Sequence, residues 1–339
     1  MPDHSRNEPI IDPNRAIIDS QFHLFDRPKL RYMFDDYVAD ARSGHNIVAS
    51  IYVETQAFAR PWGPQVMRPI GELEFANGIA AMSESGVYGD CRVAAGIVCH
   101  ADLRHGDAVV ELLDRALTLS PERLRGVRQI TLYHQSDAPY RYMSMRPQRV
   151  EMSSLDFRAG FRHLAPRGLS FDAAIFHTQL DDLADLAAAF PDTAIVLNHL
   201  GYAMALDCDA EGRAAVFRTW RASLRALARL PNVICKVGGL GMPPWGFGFE
   251  QRSEAVSYLE LAAVWKPYVD TAIEAFGVNR CMMESNFPPD RLSCGFVPLW
   301  NALKHIVRDC SEAEKSALFH DTAQRVYRIA PAPGARGEK

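Results

Sequence analysis

Eight short runs of apolar and β-branched residues recur along the chain, and most are followed by a longer stretch in which apolar residues return every three or four positions. The runs are Ala16 to Asp19, Ile47 to Val53, Val93 to Val98, Gly126 to Ile130, Phe171 to Phe176, Ala194 to Asn198, Val233 to Val237 and Cys281 to Met283. Helical patterns lie between them at Gly71 to Ser85, Asp107 to Leu119, Leu180 to Phe190, Ala214 to Leu230 and Pro267 to Phe276, several closed by Gly or Pro. Alternation of this kind predicts parallel strands joined by crossover helices. An open, doubly wound sheet would place a Gly-rich phosphate turn after its first strand. Here that strand runs instead into Asp19, Ser20, Gln21, Phe22 and His23, and no GxGxxG or GxxxxGKS/T motif occurs. Eight strand and helix units therefore predict a single α/β domain, a closed (β/α)8 TIM barrel over residues 16–330. Residues 1–15 are expected to form a flexible polar segment, and the Pro-, Gly- and charge-rich residues 331–339 a disordered tail.

Charge and patterning narrow the partners. Lys plus Arg number 37 against 41 Asp plus Glu, a formal net charge of -4 with no basic stripe, so there is no electrostatic footprint for nucleic acid. The longest apolar runs fall short of the roughly 20 residues that span a bilayer. A small-molecule substrate is the expected partner, with a homo-oligomer compatible with the chain. The first sixteen residues lack the apolar core of a secretory signal, which predicts a cytoplasmic protein. Seven scattered cysteines without a CxxC pair read as free thiols.

In a barrel the C-terminal strand ends carry the chemistry. The first strand delivers Asp19, Gln21 and His23 at alternate positions, all on one side if the chain stays extended. The second strand offers Glu54, the fourth Arg128, the fifth His177, the sixth His199, the seventh Lys236, and the eighth Glu284 with Asn286. A guanidinium such as Arg128 either grips a substrate carboxylate or pairs with an internal acid such as Glu54. Lys236 either contacts substrate or reaches the rim. His4, His45, His105 and His320 lack comparable surroundings in the sequence and read as structural or surface residues.

Three long connections also leave strand C-termini, at 55–69 with Phe58 and Trp62, at 133–154 with Tyr140, Tyr142, Met143 and Met145, and at 238–250 with Met242, Trp245, Phe247 and Phe249. They predict the walls of a partly apolar pocket, with Tyr133 and Trp245 among the substrate contacts, or else an interface between copies. The third is kinked by Pro243 and Pro244 and loosened by five glycines, which suits either a lid or a fixed wall.

The stretches IIDSQFH, LRGVRQ, FDAAIFHTQL, TAIVLNHLG, VICKVGGLG, CMMESNFPPD and LFHDTAQRVYRI, in that order, resemble the amidohydrolase superfamily in its lactonase and 2-pyrone dicarboxylate hydrolase branch. The resemblance covers nearly the whole chain and implies a (β/α)8 barrel with its site at the C-terminal face. It implies His23, His177 and His199 as metal or substrate contacts and Arg128 as an anion contact. Members usually carry His-x-His on the first strand and Asp on the eighth, whereas Gln21 and Asn286 stand here. Glu284, two residues before Asn286 on the same strand face, is then the candidate general base, its other reading being a buried ion pair that closes the barrel. Burial near Met282 would raise its pKa, and Arg128 or Lys236 nearby would lower it. Asn286 would orient water or a substrate carbonyl.

Zinc in a catalytic site takes three protein ligands and a water, which His23, His177 and His199 would supply. Without metal the same histidines and Arg128 would be donors aimed at a carbonyl oxygen. The cofactor expectation is thus none or one zinc. The reading is a hydrolase acting on a lactone, ester or similar activated carbonyl of a small carboxylated, aromatic-derived metabolite. The alternatives are a decarboxylase, hydratase or other lyase on the same barrel, and a barrel that binds a small molecule without catalysis.

Overall fold

A computed structural model describes residues 8–28, 30–143 and 146–331. Eight parallel strands follow one another around a sheet in chain order: β1 (Ile17–Phe22), β2 (Ile47–Val53), β3 (Arg92–His100), β4 (Leu124–Ile130), β5 (Ser170–Ala174), β6 (Ile195–Leu197), β7 (Val233–Val237) and β8 (Cys281–Met283). The ring closes through a parallel bridge between Phe22 and Phe287, with the His23 amide donating to the Phe287 carbonyl at 2.8 Å and that of Asn286 to the Gln21 carbonyl at 2.9 Å. All eight strand positions match the apolar runs, and the architecture is a (β/α)8 barrel. β5 and β6 stop earlier than their apolar runs because the chain turns into short 3-10 segments at His177–Gln179 and Asn198–Gly201. A short hairpin of Phe25–Arg27 with Leu30–Tyr32 follows β1.

Helices α1 (Phe34–Ala41), α2 (Ile70–Glu84), α3 (Val109–Leu119), α4 (Leu155–Phe161), α5 (Leu180–Ala189), α6 (Ala210–Leu227), α7 (Tyr258–Phe276) and α8 (Phe296–Ile306) follow the strands in turn. α7 begins well before Pro267, where the sequence pattern began it. Ser257 caps the helix and Glu260 completes a capping box, so the helix is nucleated a full two turns earlier and carries the proline inside it.

The barrel interior is layered. Below, Ile18, Ile51, Val98, Val196, Ile234 and Met282 form an apolar cluster that also holds Ala323, Tyr327 and Ile329. Those last residues belong to α10 (Thr322–Val326), which follows α9 (Glu312–Ser316), and to the turn beyond it, so the C-terminal segment plugs the barrel floor. Above this layer the interior is polar, with Asp172, Asn198, Lys236 and Glu284 all without exposure.

Glu8 to Arg15 differ from the flexible segment that the sequence suggested. The Ile11 amide donates to Asn301 Oδ1 at 2.8 Å, Asn301 Nδ2 to the Pro9 carbonyl at 3.0 Å, and Lys304 Nζ to the carbonyls of Ile11 and Asp12 at 3.0 and 2.8 Å. Side chains of α8 thus satisfy the backbone of an irregular, turn-containing segment that polar composition alone would leave loose. Residues 1–7, the tail from 332 and Met145 lie outside the described residues. All seven cysteines are free. Among the described residues no helix is long and apolar enough to cross a membrane.

Candidate active site

The site begins with an irregularity in β1. The register against β2 shifts between Asp19 and Phe22, as a bulge does, and the alternation expected for Asp19, Gln21 and His23 breaks there. Asp19 turns toward α1 and the segment after β8, accepting from Tyr37 Oη at 3.0 Å and Ser285 Oγ at 2.6 Å. Burial raises its pKa to about 6. Gln21 turns into the barrel instead.

Gln21 is the hub of the polar layer. Lys236 Nζ donates to Gln21 Oε1 at 2.9 Å, which fixes the amide orientation, because an ammonium group can only donate. Gln21 Nε2 therefore faces His23 Nε2 and His199 Nε2, each at 3.1 Å, and Asn286 Oδ1 at 3.4 Å. On the far side of each ring, His23 Nδ1 lies 2.7 Å from the Val53 carbonyl and His199 Nδ1 lies 2.7 Å from Glu284 Oε1. A carbonyl only accepts, so His23 carries its proton on Nδ1 and its Nε2 accepts from Gln21. The same logic makes His199 an Nδ1–H tautomer. Both rings are held neutral, their pKa values pushed well down by burial and by the nearby Arg128 charge.

This arrangement changes two expectations. The histidines cannot act as donors to a carbonyl oxygen, because their inward nitrogens are lone pairs. Nor does Glu284 meet the mouth directly: it is fully buried, while His199, one hydrogen bond in front of it, is 4% exposed. The carboxyl group orients the imidazole. Burial, opposed by Lys236, raises the Glu284 pKa to about 8. With Oε1 accepting from His199, its proton resides on Oε2, a buried oxygen with no partner among the described residues.

The backbone around the dyad is strained. His199, Leu200, Tyr202 and Asn286 have φ of +53°, +52°, +23° and +51°, a region that side chains other than glycine seldom adopt, at a cost of about 1–3 kcal/mol each. The loop after β7 lies against the same groups: a Cβ on Gly238 would collide with Glu284, and one on Gly239 with the His199 ring. Asn286 Nδ2 donates to Asp290 Oδ1 at 2.7 Å, and the Gly241 amide to Asp290 Oδ2 at 2.8 Å, so Asp290 couples that loop to β8.

Arg128 takes the ion-pair alternative and keeps one donor in reserve. Its Nε donates to Glu54 Oε1 at 2.8 Å and its Nη2 to the Glu54 carbonyl at 2.5 Å, leaving Nη1 without a partner among the described residues. His100 at the end of β3 buttresses the pair, its Nδ1 donating to the Arg128 carbonyl at 3.2 Å. His100 also lines an adjoining cavity of about 360 Å³, with Arg27, Arg68, Arg104 and Gln129.

Other expected contacts lie apart. His177 Nδ1 accepts from the Met204 amide at 3.1 Å, so it is engaged with the chain after β6 and is not gathered with His23 and His199. Tyr133 stands at a separate cavity with Arg149 over its ring, 4.5 Å from the centroid. Trp245 is fully buried among Tyr202, Trp220, Phe247 and Tyr268, and its indole donates to the Gly239 carbonyl at 2.8 Å. It anchors its loop and is not a pocket wall. Sequence reading did not single out Asp172, Asn198, Tyr202, Asp290, Tyr327 or His100. Asp172, a charge inside the apolar run SFDAAIF, was the one with a visible signal.

The residues do not fit a zinc ion as arranged. The two imidazole lone pairs converge on the Gln21 amide nitrogen, which carries hydrogens and no available lone pair, and His177 is elsewhere. Among the described residues no group of three His, Cys, Asp or Glu is disposed to hold a metal ion.

A buried Glu–His pair, an arginine and strained backbone at the C-terminal mouth of a (β/α)8 barrel are the arrangement of a barrel enzyme. The chain belongs to the amidohydrolase family, whose model, described as Amidohydrolase, matches residues 31–329. It is 34% identical over 337 residues to the uncharacterized protein y4mH of Sinorhizobium fredii, covering 93% of this chain and 99% of that one. It is 29% identical over 249 residues to an L-fucono-1,5-lactonase of Burkholderia multivorans, covering 73% of this chain and 75% of the relative. A zinc-bound amidohydrolase structure from Burkholderia multivorans superposes with a TM-score of 0.71 at 24% identity, covering 93% of this chain and 100% of that one, which establishes the shared fold.

Proposed function

We propose that the chain hydrolyses a lactone, or a comparably activated ester, of a small carboxylated metabolite, with His199 as the base and Glu284 behind it. The observation that carries this reading is the 2.7 Å contact of Glu284 Oε1 with His199 Nδ1, which leaves Nε2 as the proton acceptor on the inward side. Gln21 has two N–H groups for three acceptors, so its bond to His199 can pass to Asn286 when water takes that place. The water oxygen then bonds to the carbonyl carbon and its proton passes to His199 Nε2. Arg128 Nη1 is the donor placed for the developing oxyanion or the substrate carboxylate. Collapse of the tetrahedral intermediate breaks the ring C–O bond, and His199 returns the proton to the departing oxygen, giving a hydroxy acid. The lactonase relative supports this class, and its substrate is the first to test.

The test is acid release in a pH-stat from L-fucono-1,5-lactone, other sugar lactones and 2-pyrone-4,6-dicarboxylate, for the wild type and His199→Gln. Turnover by the wild type with a loss of about 10²–10⁴-fold in the variant is expected for removal of a general base. Undiminished turnover in the variant would sink the role of His199. Carbon dioxide release without water consumption would replace hydrolysis by the lyase reading.

A further inference from the structure

The hydrogen bonds that orient Gln21 do not end at Lys236. Lys236 Nζ also donates to Asp172 Oδ2 at 2.7 Å, and the same oxygen accepts from Asn198 Nδ2 at 3.1 Å and from Tyr327 Oη at 2.8 Å. Asp172, Asn198, Lys236 and Tyr327 are all without exposure, and Asp172 Oδ1 has no partner among the described residues. Three donors thus crowd one oxygen. Tyr327 comes from the C-terminal plug under the barrel floor, and its ring also faces Lys236 Nζ at 5.3 Å from the centroid. The chain of contacts runs unbroken from the floor to the mouth, through Tyr327, Asp172, Lys236 and Gln21 to His23 and His199.

We infer that Tyr327 is a positioning residue for the paired histidines, acting through Asp172 and Lys236 on the orientation of the Gln21 amide. The Tyr327 hydroxyl takes up part of the accepting capacity of Asp172 Oδ2, so that Lys236 divides its N–H groups between Asp172 and Gln21 Oε1. Without that hydroxyl the carboxylate draws Lys236 toward itself and Gln21 Oε1 loses its donor. An amide released in this way can turn over, presenting oxygen where it had presented NH2. An amide oxygen there calls for a proton on a facing Nε2: the Val53 carbonyl holds His23 as the Nδ1–H tautomer, whereas His199 can take one with the Glu284 carboxyl donating to its Nδ1, and would then no longer be an inward acceptor.

The test is Tyr327→Phe in the full chain, which keeps the ring against Lys236 and removes only the hydroxyl. Side-chain 15N spectra of the ligand-free protein distinguish the two neutral histidine tautomers and need no substrate. The wild type should show His23 and His199 as Nδ1–H tautomers, and the variant a mixed or exchanging population at His199, with His177 unchanged. Identical His199 spectra in a variant of lowered thermal stability would overturn the inference and leave Tyr327 as part of the plug alone. The kinetic arm rests on the proposed hydrolysis: kcat should fall by about tenfold with KM nearly constant, the size expected for one hydrogen bond to a charged group. A tautomer change without lactone turnover in either protein would uphold the positioning role while removing the proposed reaction.

Discussion

Gln21 Nε2 has acceptors on three sides, at 3.1, 3.1 and 3.4 Å, so the two imidazole lone pairs converge on an N–H donor and not on a position that a cation could share. A direct consequence is measurable as metal content. The wild type purified without chelator should hold well under one equivalent of zinc, and Gln21→His, which exchanges a donor for a third imidazole, should take up close to one. A full equivalent in the wild type that is lost on replacing His23 or His199 would contradict the tautomers assigned above. At this scale the sequence showed the right residue types in the right strands: Gln21, His23, His199, Lys236, Glu284 and Asn286 do meet. Their roles were not legible, because whether a nitrogen donates or accepts depends on partners such as the Val53 carbonyl and Lys236, far apart in the chain.

Among the elements, the connection after β7 is the one whose sequence left two readings open. Its glycines and prolines suited either a lid or a fixed wall, and Gly238 to Trp245 are buried throughout. The glycines let the backbone lie against Glu284 and His199, and Trp245 locks it into a cluster with Trp220 and Tyr268. Trp245→Ala should therefore cost about 3–5 kcal/mol in urea denaturation, as for other large core aromatics. It should also raise amide exchange across residues 239–250. A loss under about 1 kcal/mol would mean that the loop is held from elsewhere. Aromatic content marked the loop as packed against something, but only the fold could say that the partner was α6 and α7 and not a ligand.

For the whole molecule, the buried site ties stability to pH. Glu284 keeps its proton to about 8 when folded and releases it near 4.5 when unfolded. Across that window the folded state binds the extra proton, so this contribution to stability is lost as pH rises. His23 and His199, with pKa values lowered on folding from 6.5, act with the opposite sign and lose stability as pH falls below that value. Between pH 6.5 and 8 the Glu284 effect is no longer opposed by the histidines, and stability should decline as pH rises, with Asp290, whose pKa burial also raises well above its ordinary value, acting in the same sense. Thermal melts at constant ionic strength check this, and Glu284→Gln should flatten the slope. A wild-type melting temperature that climbs over the same range would place the proton elsewhere. Catalysis has the reverse dependence, since loss of the Glu284 proton makes His199 a stronger base.

The sequence by itself determined the barrel. Each strand's apolar run and each helix's periodicity is local, and eight such units in order leave one closed arrangement that buries them all. It also brought polar residues to the strand ends, where burial is tolerated only with partners. Tertiary structure decided which partner each received. The bulge in β1 separates Asp19 from Gln21, the C-terminal plug sends Tyr327 up to Asp172, and Lys236 turns the Gln21 amide toward two histidines. These choices rest on hydrogen-bond complementarity between residues far apart in the chain, 215 positions between Gln21 and Lys236 and 266 between Asp19 and Ser285. No periodicity encodes such pairings; they are fixed when the ring closes and each buried donor must find an acceptor.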